Sequence, residues 1–347
     1  MNKIRSLTQK QLFLPIFCVF LVLCSNIIYD IAQGNAFYNF FSISIKNGVL
    51  YGRIIDILNR GSEVAILAIG MTLVVSCSAG TDISVGSVMS LCASFCCMLL
   101  SGYGVTSAYE YALPLVVCVI AGLLMGCLCG AFNGLMIAYF KVVPMIATLA
   151  MLNMARGLCF VLSGGSSVSG VKSNYSFLGA ARLLQTADKP TGWIPIITIF
   201  VIVAVFIVHI LLSKTVFGRH VYATGSNSNV AHLSGINTAK ITFLSHVICG
   251  IMAAMGGVLN ASKLQNGQPG ACDAYEMYAI AATVLGGTSL SGGSGSVGRA
   301  MIGVAVIAVI NNGMNLLHID SYWQKVVIGM IILLAVILDM AQKKQKA

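Results

Sequence analysis

The chain has 347 residues, 58% of them hydrophobic and only 9% charged. A soluble domain carries about a quarter of its residues charged, so this composition excludes one and leaves a polytopic membrane protein. The formal net charge of +10 is, in such a chain, a record of orientation before it is a sign of nucleic acid binding.

At roughly 20 apolar residues per span, the sequence predicts helices over 11–31, 62–79, 85–103, 112–137, 144–163, 194–212, 241–262, 276–290, 297–316 and 325–340. The expected fold is therefore all-α, a single membrane domain over 1–347 with about ten transmembrane helices. The first segment is too long for a signal-peptide core, and Cys24-Ser-Asn near its end makes a poor cleavage site, so it is expected to remain. Lys3, Arg5, Lys10, Lys141, Lys214, Arg219, Lys240, Lys343, Lys344 and Lys346 all fall on one side if the N-terminus is cytoplasmic. The positive-inside rule then places 1–10, the loop 213–240 and the tail 341–347 in the cytoplasm. The bias is incomplete, because Lys46, Arg53, Arg60, Lys172, Arg182, Lys189 and Lys263 fall outside.

Two glycine-rich interruptions resemble each other. Gly80-Thr-Asp-Ile-Ser-Val-Gly86 aligns with Gly287-Thr-Ser-Leu-Ser-Gly-Gly293, inside the longer cluster Leu285–Gly295. Chance likeness between two helix-end loops is the plain reading. The functional one is an internal repeat whose broken helices border a transport pathway, because free backbone groups at membrane depth survive only where protein or a cavity surrounds them. Its lining would be Gly80, Thr81, Asp82, Ser84, Gly86, Gly286, Gly287, Thr288 and Ser289.

Catalytic and metal-binding patterns are missing. No Gly-Lys dipeptide occurs, so there is no phosphate-cradling Walker A loop, and the chain is not expected to be an enzyme. No cofactor or metal is expected either. Of twelve cysteines, eleven fall in predicted spans, where they read as small packing residues, and Cys272 in the loop 264–275 is the one expected to be exposed. The five histidines are scattered; His209 and His246 are intramembrane and read as packed helix residues rather than proton carriers.

Among the carboxylates, Asp82 stands where the second copy has Ser289. It reads either as a helix N-cap or as a gate that pairs with a basic group. Glu276 opens a span and suits the positive end of its helix. Arg156 is the basic residue well inside a predicted span, and it has no acidic neighbour in sequence. In the loop 213–240, Ser and Asn residues supply helix caps, Val230 and Leu233 form a short apolar face, and Gly235 stops the turn. A short helix lying across the cytoplasmic face is expected there, either a connector or a docking element.

The strings Gly70-Met-Thr-Leu-Val-Val75, Asp82-Ile-Ser-Val-Gly-Ser87, Asn133-Gly-Leu-Met-Ile-Ala138, Ile146-Ala-Thr-Leu149, Ala155-Arg-Gly157, Leu233-Ser-Gly-Ile-Asn237, Ala279-Ile-Ala-Ala282 and Gly286-Gly-Thr-Ser-Leu-Ser-Gly-Gly293 resemble, in this order, the permeases of bacterial ribose, galactose and galactofuranose ABC importers. The likeness covers roughly residues 55 to 340, and Asp56–Arg60 with Ala65–Met71 is most similar to a galactofuranose permease. The resemblance implies two permease chains, an ABC ATPase, often a tandem chain, and an extracytoplasmic sugar-binding protein, in the cytoplasmic membrane and without nucleic acid. It also implies ATPase coupling through Asn229, Val230, His232, Leu233, Ser234, Gly235 and Asn237. Where that family has Glu-Ala-Ala before Leu-Ser-Gly, this chain reads Asn229-Val-Ala231, which puts an acidic contact there in doubt. A stand-alone secondary transporter and a membrane scaffold remain as alternatives. The first is supported by the repeat and opposed by the lack of intramembrane ionisable pairs.

Overall fold

A computed structural model describes residues 42–46, 49–78, 80–102, 113–169, 175–179 and 196–344, with scattered helical positions between 20 and 31. Most of the expected first span 11–31, the tail 1–10, the end of the tail 341–347, and Lys172, Arg182 and Lys189 lie outside the described residues. The strands β1 (Ser44–Lys46) and β2 (Val49–Tyr51) pair antiparallel, Ser44 opposite Tyr51. They are the only named strands among the described residues, and the regular structure is otherwise helical.

Helix α1 spans Arg53–Ser78, starting well before the apolar run that began at 62. Asp56 N–H donates to Gly52 O, and an acidic Asp56 suits the positive N-terminal turn, so the helix continues through polar residues that a hydropathy count rejects. Helix α2 (Val85–Ser101) ends at Gly102 in the left-handed conformation. Helix α3 (Leu115–Ala138) follows Pro114, and α4 (Pro144–Ser163) carries proline in its first turn, where the missing N–H costs nothing. After the one-turn α5 (Ser176–Gly179) come α6 (Ile196–Lys214), α7 (Val216–Ser226), α8 (Ser228–Leu233) and α9 (Thr238–Leu264). The chain closes with α10 (Tyr275–Leu285), α11 (Val297–Leu316) and α12 (Ser321–Lys344).

Six of these helices, α1, α3, α4, α6, α9 and α11, are long and apolar enough to cross a membrane; α2 and the stretch 321–334 of α12 are shorter apolar helices. The expected helix 276–290 stops at Leu285, and its eleven residues reach only about 16 Å at 1.5 Å each, too short to cross alone.

Burial separates centre from periphery. The apolar window of α1 is 94% buried and apolar all round, whereas those of α3 and α4 are 28% buried and present Val116, Leu124, Leu128, Ile146 and Val161 outward. Cys272, expected at the surface, is fully buried: it packs with Met89, Cys92 and Cys159, and its N–H donates to Ser90 Oγ. The loop that carries it folds inward against α2.

Helices α3 and α9 meet backbone to backbone. Gly122, Gly126, Gly130 and Gly134 recur every fourth residue on one face of α3. A Cβ on Gly126 would sit 2.5 Å from Gly250 O, one on Gly134 2.9 Å from Phe243 O, and one on Gly130 would collide with His246 O. Small residues at this spacing let helices approach closely in lipid, where hydrophobic burial does not distinguish a helix from a lipid tail. Gly130→Ala should therefore overpack the seam and cost about 1–3 kcal/mol. Gly329, exposed in α12 with nothing within 4 Å of its Cβ position, is the matched control: Gly329→Ala should gain up to about 1 kcal/mol of helix propensity. Thermal unfolding of the purified protein should show a lowered Tm for the first variant only.

Candidate functional site

The first break, between α1 and α2, is organised by Asp82. Its Oδ1 accepts from Ser84 N–H at 2.9 Å and from Ser84 Oγ at 2.6 Å. Asn133 of α3 donates its amide to Ser84 Oγ at 2.9 Å and to Asp82 Oδ2 at 3.4 Å. Ser84 occupies the N-cap position of α2 and its side chain caps no N–H, so Asp82 braces the turn before the helix rather than capping the helix itself. Asp82 and Ser84 are 2% and 1% exposed. Thr81 adds a carbonyl, within reach of the Thr148 hydroxyl at 3.5 Å, and Gly80 lies where a Cβ would meet the Pro144 ring at 2.7 Å. Gly86, in the first turn of α2, is glycine because the Glu276 carboxylate and Cys272 O occupy the place of its Cβ. Glu276 lies in the first turn of α10, buried, with Oε2 lacking any hydrogen-bond partner.

The second break has a different backbone. Gly287 N–H donates to Val284 O and Thr288 N–H to Thr283 O, at 2.8 and 3.2 Å, with Gly287 at φ 78°. This is a Schellman termination, which needs a left-handed residue where glycine stands. Gly292 and Gly293 are also left-handed, at φ 81° and 71°, whereas Gly80 and Gly86 are not. The two copies thus share residues and position between helices but not conformation. Gly286 packs against the backbone of Arg299 and Ala300 in α11, and Thr288 and Ser289 are buried. Leu290 of the second break packs against the apolar cluster to which Val74, Val75 and, beside the first break, Val85 belong.

Of the predicted coupling residues, Asn229, Val230, His232 and Leu233 lie in α8, and Ser234, Gly235 and Asn237 in the turn that leads from it to α9. Two helices replace the single one expected. Thr215 caps α7 by accepting from Gly218 N–H, and Asn227 Oδ1 caps α8 by accepting from the N–H groups of Asn229 and Val230 at 3.1 Å. Ser234 Oγ donates to Val230 O, Gly235 turns the chain at φ 83°, and Asn237 Oδ1 caps α9 by accepting Lys240 N–H. Asn229, Val230, His232 and Leu233 are all exposed, Leu233 at 87%. Behind them α7 is tied to the second break: Tyr222 OH donates to Gly295 O at 3.0 Å, and Gly225 lies against Ser76 O and Gly293 N. Gly293 N–H in turn donates to Ser76 O at 3.0 Å, in the last turns of α1.

Two cavities flank this framework. One of about 820 Å³ opens beside α7 and α8, with Ser78, Lys141, Pro144, Asn227 and His232 in its wall. The other, about 580 Å³, lies among the start of α1, the ends of α9 and α11 and the start of α12. None of the nine predicted break residues lines either one. At the second cavity stands Glu63, one of the carboxylates that approach the membrane in the sequence, where nothing nearby marks its partners. It is 2% exposed and accepts from Asn260 Nδ2 at 3.0 Å, Tyr275 OH at 2.8 Å and Lys263 Nζ at 3.2 Å. Arg156, without a partner in sequence, donates to Pro269 O at 2.8 Å and Ser90 Oγ at 3.2 Å, and lies 3.9 Å from Asp273. Lys325 donates to Asp273 at 2.9 Å, and this bond first of all holds the Asp273 carboxyl below its usual range. His246 is fully buried, with Nδ1 at 2.9 Å from Thr242 O. Among the described residues no cluster of His, Cys, Asp and Glu could hold a metal ion.

Apolar crossing helices, two buried helix breaks and an exposed helical surface wired to one of them define a membrane component of a transport system. The chain belongs to the family described as branched-chain amino acid transport system / permease component, whose profile matches residues 53–336. It is 39% identical over 291 residues to the ribose import permease protein of Bacillus subtilis, covering 82% of this chain and 84% of that one. The ribose import permease protein of Escherichia coli K12 is 37% identical over 309 residues, 88% of each chain. The galactose/methyl galactoside import permease protein of Haemophilus influenzae is 32% identical over 333 residues, 92% of this chain and 97% of its own. No solved structure matches the chain. A permease component is not itself an enzyme, and membership in this family replaces the readings as a self-sufficient secondary transporter or a scaffold.

The Asp82 brace has a direct test. Asp82→Asn keeps an oxygen for the Ser84 N–H, and the unpartnered Asn133 Oδ1 can turn to meet the new amide. Transport should survive. Asp82→Leu removes the acceptor of both the Ser84 N–H and the Ser84 hydroxyl, at about 1–3 kcal/mol for a buried group left unpaired, and uptake should fall with protein yield. Transport whose pH dependence vanishes in Asp82→Asn would instead make Asp82 a proton carrier.

Proposed function

We propose that this chain forms the pathway of an ATP-driven importer of monosaccharides and is gated by a separate ATPase that docks on α7 and α8. The observation that carries the reading is the wiring of Tyr222 to Gly295 and of Gly293 to Ser76, which joins an exposed surface to a buried helix break. Force applied at α8 has a short route to both breaks, through α7 and the last turns of α1. ATP can bias the permease only by as much as the ATPase prefers one of its conformations. The break residues Gly80, Thr81, Asp82, Ser84, Gly86, Gly286, Gly287, Thr288 and Ser289 would then work as packed joints that open beside the sugar's route.

Orientation follows from charge. Lys141, Lys214, Arg219 and Lys240 lie at the α7–α8 end, and the positive-inside rule supports a reading in which that end and both termini face the cytoplasm of a bacterial cell. The segment 213–240 is thus the coupling element of a single permease domain in the cytoplasmic membrane. A second permease chain completes the pathway. The outer face of α4 supports this, because Asn153 is exposed between Leu149 and Met154 and donates its amide to Leu149 O; a polar side chain on a lipid-level face calls for a polar partner. An extracytoplasmic sugar-binding protein supplies the substrate. The names of the relatives point to ribose, xylose and galactose, and the likeness over Asp56–Met71 adds galactofuranose. Proteoliposomes holding the permease, its ATPase and its binding protein should take up one of these four sugars with ATP. Uptake by the permease without ATPase would refute the reading.

Leu233→Asp should place a charge in the docking contact and reduce co-purification of the ATPase at least tenfold, as loss of a central apolar anchor costs about 2 kcal/mol or more. Leu233 is 87% exposed, so the variant should fold. Gly86→Leu and Gly287→Leu test the joints by different physics. The first meets Glu276, and the second forces a branched residue to φ 78°. Each should abolish ATP-driven uptake while the complex still assembles, and parental rates in both would remove the joints from the mechanism.

A further inference from the structure

The cavity of about 580 Å³ at the end away from α8 has the attributes of a ligand site, and small-molecule sites occupy about 300–1,000 Å³. Its wall includes Glu63, Asn260, Lys263, Tyr275, Tyr278 and Asn311. The carboxylate of Glu63 is already engaged by an ammonium, an amide and a phenol. The buried acceptors that remain open are neutral. The side-chain oxygens of Asn59 and Asn311, both of which line the cavity, are buried and accept no hydrogen bond. Buried acceptors without partners are rare and ask for a donor that the protein does not supply.

Charge narrows the class of that donor. The wall carries both signs: a cation would meet Arg60 and the Lys263 ammonium, 3.2 Å from Glu63, and an anion would face Asp56, Glu63 and Asp273, so neither charge is favoured over a neutral ligand. A neutral molecule with several hydroxyls donates to the two asparagine oxygens and accepts from amides, while the rings of Tyr275 and Tyr278, edge to face at 5.9 Å, offer apolar surface to its C–H groups. We propose that this cavity binds a monosaccharide within one permease chain, as an entry subsite on the side that faces the binding protein. The proposal rests on the import reading above. Tyr275 and Asn311 belong to α10 and α11, the helices joined by the second break, so occupancy is placed to bear on that joint.

The test uses the permease–ATPase complex in nanodiscs without the binding protein, probed with ribose, xylose, galactose and galactofuranose by saturation-transfer NMR. Asn59→Leu and Asn311→Leu are the variants, since neither oxygen holds another part of the protein, and retained ATPase association shows that they fold. The parent complex should bind the sugar that the complete importer transports, and each variant should weaken that binding at least tenfold. Equal binding in parent and variants would overturn the site. So would an importer that transports one of the sugars while its permease–ATPase complex binds none of the four. An importer that transports none of them would fail the import reading itself, and the subsite with it.

Discussion

Contact between the backbones of α3 and α9, made possible by glycine on both, is the constraint from which the rest of the bundle takes its geometry. In lipid a leucine gains nothing by leaving a tail for a neighbouring helix, so association depends on close packing and on polar groups that find each other. Gly126 and Gly130 against Gly250 and His246 supply the close packing. Helix α9, so placed, also packs along α1 and α2, and Asn133, on α3, is delivered to Asp82 and Ser84. The first break is therefore held by a side chain whose position depends on the glycine seam.

The second break depends on the same frame from the other side. Helix α1 is buried along most of its length, and its last turns offer Ser76 O to Gly293 N–H. One central helix thus anchors the α7–α8 surface, the glycine cluster and, through Glu63, the cavity at the far end. Packed interiors shift between discrete arrangements rather than deforming smoothly, so a change at one end of this helix would bear on the other.

The charged groups inside this bundle are few, and most of them are engaged. Asp82 is satisfied by Ser84 and Asn133, Glu63 by three donors, Arg156 by Pro269 and Ser90. Among the described residues, the buried atoms without a partner include Glu276 Oε2 beside Gly86, Thr288 Oγ1 in the second break, and the Asn59 and Asn311 oxygens at the far cavity; Ser76, Ser87, Asn133, Thr224, His246, Asn266 and Asn312 each leave one atom open as well. Leaving such atoms unpaired at rest costs stability, and another conformation or a ligand can return it.

Composition and periodicity alone determined the membrane class, the positions of most helices, the two glycine interruptions and the capped segment before Gly235, because each is a local consequence of apolar runs, caps and glycine content. The four glycines at every fourth residue of α3 were equally legible and were passed over, since a hydropathy reading looks for apolar length and ignores small-residue spacing. Only the tertiary structure decided that α1 begins at Arg53, that Cys272 is buried, and that Arg156, Glu63 and Asn133 have partners far away in sequence. It also separated two breaks that look alike in sequence: Gly86 is required by a neighbour's carboxylate and Gly287 by its own dihedral angle. A sequence records that glycine is needed; whether a distant atom or the local backbone needs it is settled by how the helices pack.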